Sequence, residues 1–299
     1  AEEQLGTARI LNVDTTAFNG TRTWTNQGGG RYTSDIGTST YMGVDVATGD
    51  FLPKYSSVAN LNAASVNGKN KPIYGIAQVG TVVHIRLRGN RDPNGLSIIL
   101  TDGDSQNVLD FNNCDDFIWD GCQIEGGGEQ SAITFDDASA NPMIRNVRSN
   151  TSRFLCRVPD DTIVEYCDYS LADPNAGGKT WMRDVLALNG NTQQAFFDII
   201  KGDLAQGGNA VYEGGIAAGA GTVNADCEFR FNRHVGVFDG ERFGEFRSST
   251  THDNVYDECG DDGIQFEDDV NSNEGNNNRA FYLRFRNPHE IGRASCRER

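Results

Sequence analysis

Three phrases decide the reading of this chain: Trp119-Asp-Gly-Cys122-Gln-Ile124, Ile144-Arg-Asn-Val147-Arg-Ser149 and Val164-Glu-Tyr-Cys167-Asp-Tyr169. Each runs apolar, polar, bend residue, small apolar, polar, and then usually apolar. Looser copies follow at Phe197-Asp-Ile-Ile200-Lys-Gly202, Asn224-Ala-Asp-Cys227-Glu-Phe229 and Tyr256-Asp-Glu-Cys259-Gly-Asp261. A unit that returns every roughly 20 to 33 residues cannot bury its apolar face alone, so stacked neighbours must make the core. β-branched, aromatic and Cys residues fill the phrases and polarity alternates after the bend, which favours strands over helices. The expected inward file is Cys122, Val147, Cys167, Ile200 and Cys227.

Composition sets the outer limits. With 299 residues, 37% of them hydrophobic, 35 Gly and 7 Pro, the chain has room for one large β domain or a domain with an appendage. It has no apolar run long enough to span a membrane. Forty-two acidic residues against 26 basic ones give a net charge of −16. Such a chain repels phosphate, and no basic stripe with interleaved aromatics is present, so nucleic acid is not an expected partner. The charge suits extracellular life, divalent cations or a neutral polysaccharide. An anionic glycan would need a local basic groove or a bridging Ca²⁺, the one cofactor under consideration.

Seven Cys occur without a Cys-x-x-Cys, which argues against structural zinc. The four His show no metal spacing, so no metal ligand is assigned. Cys122, Cys167 and Cys227 hold one place in the repeat and would stack about 4.8 Å apart. They read as buried thiols acting as small hydrophobes, with disulfides between coils as the alternative.

On these phrases, residues 96–288 resemble the right-handed parallel β-helix superfamily. It includes pectate lyases, polygalacturonases, alginate and chondroitin lyases, and phage tailspikes. The resemblance implies an all-β solenoid, a secreted protein and an extended glycan as substrate. Residues 1–95 lack the phrase. Thr21–Trp24 and Gly28–Tyr32 read as short strands, Tyr41–Lys54 as two strands around the turn Asp45–Gly49, and Thr81–Leu87 as a half-buried strand. His84-Ile-Arg-Leu87 and Asp92-Pro-Asn94 are similar to the close of a β-rich module in several secreted β-helix glycan enzymes. A β appendage capping the first coil is therefore expected, with Ile98–Leu100 opening the coils. The chain starts Ala1-Glu-Glu-Gln without a Met, as a mature N-terminus would. Glu290–Arg299 reads like a translated sequencing adapter, so residues 289–299 are expected to be non-native and the solenoid a truncated metagenomic fragment.

Chemistry has several candidate seats. The position after each marker reads Gln123, Arg148, Asp168, Lys201, Glu228, an outward row alternating in sign. It is either a solvated ion-pair ladder or the floor of a glycan groove. Asp261, Asp262 and Glu267 resemble the paired-Asp motif of polygalacturonases, although that family's Gly-His-Gly and Arg-Ile-Lys are absent. An inverting hydrolase needs an acid and a base about 6.5–9.5 Å apart. The same residues also suit a coil corner, where Asp caps backbone N–H groups. A lyase would draw on Lys201, Arg230 and Arg233 beside Glu228. Trp119 reads as core, and Trp181, in a loop, as a sugar platform. The leading expectation is a glycoside hydrolase or polysaccharide lyase, and the alternative is a non-catalytic adhesin or tailspike-like module.

Overall fold

The computed structural model describes residues 8–63, 65–66, 69–70, 74–102, 107–170, 216–218, 224–235, 241, 246–257, 264, 274–276 and 278–281. Stacked parallel strands form a β-solenoid of about five turns. Two of its sheets organise everything else. Sheet I stacks Ile118–Asp120, Met143–Arg145, Ile163–Glu165, Glu228–Arg230, Thr250–His252 and Glu274–Asn276. Sheet II stacks Arg9–Asn12, Gln123–Phe135, Arg148–Val158, Asp168–Ser170, Arg233–Val235, Val255–Asp257 and Arg279–Phe281.

Left-handed residues turn the chain from sheet I to sheet II in five successive coils. These are Gly121, Asn146, Tyr166, Phe231 and Asp253, with φ of 83°, 53°, 53°, 56° and 56°, and in the first coil Cys122 also has a positive φ, 106°. The turn into sheet I uses the same device at Asp116, Asn141, Asp161, Asp226 and Ser248. Gly, Asn and Asp reach this conformation at least cost, which is why the phrase has a bend residue.

The residue after each bend points inward. Cys122, Val147 and Cys167 are buried and precede paired strands, as the repeat predicts. Asn232, Asn254 and Asn278 continue that file. The Oδ1 atoms of these three accept from the N–H groups of Cys167, Asn232 and Asn254 at 3.0, 2.7 and 3.0 Å. Their Nδ2 atoms donate to the carbonyls of Val164, Phe229 and Thr251 at 2.9, 3.0 and 3.0 Å. Backbone N–H groups that the bend removes from the strand ladder thus find acceptors one coil away.

Cys227 does not belong to this file. It follows Asp226 at the other turn, where the Glu228 N–H donates to the Thr162 carbonyl and the Thr250 N–H to its own. Both turns use a left-handed residue followed by a small inward one, so the phrase marks a turn without saying which. Ile200 lies outside the described residues. Cys114, Cys122, Cys156, Cys167 and Cys227 are free thiols. Burial pushes Cys167 and Cys227 up to about 12, which makes them inert small hydrophobes. Trp119 packs against the core, as expected, 5.4 Å from Phe111 ring to ring.

The appendage is antiparallel apart from one edge pair. Thr25–Asn26, Arg31–Asp35, Val82–Arg86, Gly75–Val79 and Lys54–Tyr55 make one sheet, and Thr40–Asp45 folds onto Asp50–Leu52 in a hairpin. Ile98–Asp102, expected to open the coils, pairs antiparallel with Thr40–Asp45 and closes the appendage instead. Arg9–Asn12 runs the other way across the expected boundary and pairs in parallel with Gln123–Gly126, covering the edge of the first rung. Buried Asp45 and Asp50 are held by Arg91 and Arg88, the latter at 2.9 Å.

The Asn file yields a stability prediction. Asn254→Ala leaves the buried Asn232 N–H without its acceptor, at a cost of about 1–3 kcal/mol. An unfolding free energy from urea titration lowered by less than about 1 kcal/mol would show that the file does not hold the coils together.

Candidate functional site

Sheet I carries the most developed surface among the described residues. Its central positions, Trp119, Ile144, Val164, Phe229 and Thr251, face the core, so the positions on either side face out. One outward row reads Ile118, Met143, Ile163, Glu228, Thr250. The other reads Asp120, Arg145, Glu165, Arg230, His252, changing sign at each rung from Asp120 to Arg230.

These residues form one continuous chain of contacts in the upper coils. Arg230 donates from Nε to Glu165 at 2.7 Å and from Nη1 to Glu228 at 2.8 Å. His252 meets Glu228 through Nε2 and Asp253 through Nδ1, both at 2.9 Å. Lower down, Arg145 and Asn146 bind the two oxygens of Asp120 at 2.7 Å each.

The electrostatics follow from these contacts. Partial burial opposes ionisation of Glu228, but hydrogen bonds from His252 and Arg230 outweigh it and hold the carboxyl below its ordinary range. Partial burial likewise opposes the His252 charge, and its bonds to Glu228 and Asp253 raise it all the same. Arg230 is raised chiefly by its bond to Glu165. Asp120 is lowered by Arg145 and Asn146.

At the adjoining corner, Tyr166 and Phe231 occupy successive left-handed bends. They are 51% and 41% exposed, with ring centroids 5.0 Å apart and planes 8° from parallel. His252 stands edge-on to Phe231 at 5.8 Å. An apolar rim therefore borders a row of charged donors and acceptors.

The structure divides the residues that the sequence proposed. Gln123, Arg148 and Asp168 do share an outward row of sheet II, but Arg233 fills its next rung. Asp168 faces Arg148 at 3.5 Å and Arg233 at 3.8 Å. Glu228 belongs to sheet I because Cys227 lies at the other turn, and Arg230 accompanies it there. Lys201, Trp181, Asp261, Asp262 and Glu267 lie outside the described residues. The sequence reading missed Glu165, Tyr166, Phe231, His252 and Asp253. The third phrase carried a signal, because Tyr166 stands where the first two have Gly121 and Asn146.

Among the described residues no three His, Cys, Asp or Glu side chains are grouped to hold a metal ion, and no helix is long and apolar enough to cross a membrane. No family model, curated protein or solved structure matches this chain. The coiled architecture therefore rests on the strand ladders themselves.

The His252–Glu228 pair has a definite pH window. A raised His252 contributes fully below its ordinary 6.5 and loses that contribution as pH rises through its folded value. A lowered Glu228 contributes fully above its ordinary 4.5 and loses it as pH falls through its folded value. His252→Gln should thus cost most between pH 4.5 and 6.5. With solvent screening the cost is about 1 kcal/mol or less. Thermal melts of both proteins across this range check it, and a difference that grows above pH 8 contradicts the assignment.

Proposed function

We propose that this protein binds an extended polysaccharide along the outer corner of sheet I. We further propose that it is a secreted carbohydrate-active enzyme of the right-handed β-helix kind, a glycoside hydrolase or polysaccharide lyase. The observation that carries the reading is the pair Tyr166–Phe231. A bulky residue in the left-handed region costs about 1–2 kcal/mol. The stacking of the two rings returns about 0.5–1.5 kcal/mol. Two strained positions against one stacked pair leave no gain in stability, and Asn or Gly would serve either bend better. Exposed aromatics at strained positions, beside fixed hydrogen-bonding groups, suit a sugar, whose C–H face is apolar and whose hydroxyls both donate and accept.

For cleavage, the candidates remain Asp261, Asp262 and Glu267, which follow strand Val255–Asp257 in the chain. A hydrolase would use two of them as acid and base. A lyase would use a base with Arg230 or Arg233 neutralising a uronate carboxylate. One observation favours the second reading, binding without cleavage. On sheet I, Glu165, Glu228 and Asp120 are each held by an arginine, and Glu228 and Asp120 are shifted down. A glycosidase acid requires the opposite shift.

Two sets of variants test the proposal on a polysaccharide panel. Tyr166→Asn and Phe231→Asn should weaken glycan retention at least tenfold while leaving the melting temperature equal or higher. Undiminished retention in both removes the binding face. Asp261→Ala and Asp262→Ala should lower the release of reducing ends, or of ultraviolet-absorbing unsaturated ends, by at least a hundredfold. Retention with no product from the unaltered protein selects the adhesin reading.

A further inference from the structure

The charge of this chain is unevenly spread. From Phe51 to Arg91 there is no Asp or Glu, while Lys54, Lys69, Lys71, Arg86, Arg88 and Arg91 are all basic. In a protein of net charge −16, that stretch is a basic island. Its described strands belong to the appendage.

Arg86, within that stretch, meets Arg31, outside it, and among the described residues no carboxylate pairs with either. Arg86 and Arg31 stand directly opposite one another on neighbouring antiparallel strands. Like charges in that relation repel. Arg86 is only 8% exposed. Its Nη2 donates to Asn90 Oδ1 at 3.0 Å and its Nη1 to the Asn62 carbonyl at 3.5 Å, both neutral acceptors. The Nε atoms of Arg86 and Arg31 are buried and have no partner. A few residues away, Arg88 and Arg91 each hold a buried carboxylate, so the appendage can neutralise guanidinium where its own structure requires it.

Other groups adjoin the pair. His84 lies two residues before Arg86 and so on the same face of the sheet, opposite Thr33. Its Nδ1 is buried and unpartnered. Gly75 stands opposite Arg86 on the other neighbouring strand, and a Cβ there would come within 2.8 Å of the Tyr55 ring. Tyr55 and the end of helix Val58–Asn62 thus stand on one side of Arg86, with Asn90 on another. Burial and then the neighbouring Arg31 lower both His84 and Arg86, as unneutralised positive charge would. Asp35 shares this strand face at its far end, where Thr81 and the Gly37 N–H engage it.

We infer that Arg31, Arg86 and His84 form an oxyanion-binding site in the appendage, which takes a sulfate or a carboxylate between the two guanidinium groups. A buried charge is tolerated when it is paired, and paired guanidinium groups suit a bidentate oxyanion. The site does not depend on the glycan reading of sheet I. The same chemistry can arrive as an inorganic ion or on an acidic sugar.

The test uses the full chain at constant ionic strength, with chloride as the control salt. Inorganic sulfate should raise the melting temperature saturably, beyond the effect of chloride. Arg31→Gln should weaken sulfate binding at least tenfold. Without sulfate it should melt at the same temperature as the unaltered protein or higher, because the repulsion with Arg86 is gone. A residue with a merely structural role would instead lower that temperature. Glucuronate that displaces sulfate identifies a sugar carboxylate as a ligand, whereas sulfate that glucuronate does not displace identifies a tetrahedral oxyanion. An equal sulfate response in both proteins, or an Arg31→Gln variant that melts lower in sulfate-free buffer, overturns the inference.

Discussion

The structure depends on one constraint: each coil must present its backbone to the next in register at both turns of sheet I. A parallel ladder supplies hydrogen bonds along the strands but none at the corners. Here the corners are closed by left-handed residues, followed by inward side chains that touch the coil beyond. In the lower coils these side chains are Cys122, Val147 and Cys167, which fill space. In the upper coils they are Asn232, Asn254 and Asn278, which also bond the neighbouring backbone. Both solutions occupy one file, and they meet where the Cys167 N–H donates to Asn232.

The surface chemistry follows from that stacking. Residues at equal places in successive coils are forced about 4.8 Å apart, so like charges there would repel strongly. The sheet I row accordingly changes sign at every rung from Asp120 to Arg230. The sheet II row does the same only from Arg148 through Asp168 to Arg233. Sign alternation alone is thus a consequence of the fold. The corner of Tyr166 and Phe231 is different, because its residues gain nothing from the stacking rule and conflict with the bend's own preference.

This contrast explains how much was legible in the sequence. Trp119 to Tyr169 could be read because three successive copies fall on the same turn, so the strands, the bend and the first three inward residues all align. The copy at Asn224 misled because the turn into sheet I is made by the same kind of pair, Asp226 and Cys227. Its misplacement carried Glu228 onto the wrong face and hid the second partner of Asp168, Arg233 on the next rung. Long-range closure was also hidden. Nothing local tells Ile98–Asp102 to pair backwards with Thr40–Asp45, or Arg9–Asn12 to begin the solenoid. The appendage strand at Val82–Arg86 was legible because Val83 and Ile85 alternate with polar neighbours.

Charge gives a last distinction between scaffold and recognition. Several of the described arginines that bind the protein's own framework have a carboxylate close by. Arg88 has Asp50, Arg91 has Asp45 and Arg230 has Glu165. Such pairs add little to stability at an exposed corner, yet they leave no field for a ligand to answer. Arg31 and Arg86 depart from that habit, although Asp and Glu together outnumber Lys and Arg in the chain by 42 to 26. Since acidic side chains are abundant, the lack of one paired with Arg31 or Arg86 among the described residues is a property of this place in the sheet, and its field is directed at something the chain does not itself supply.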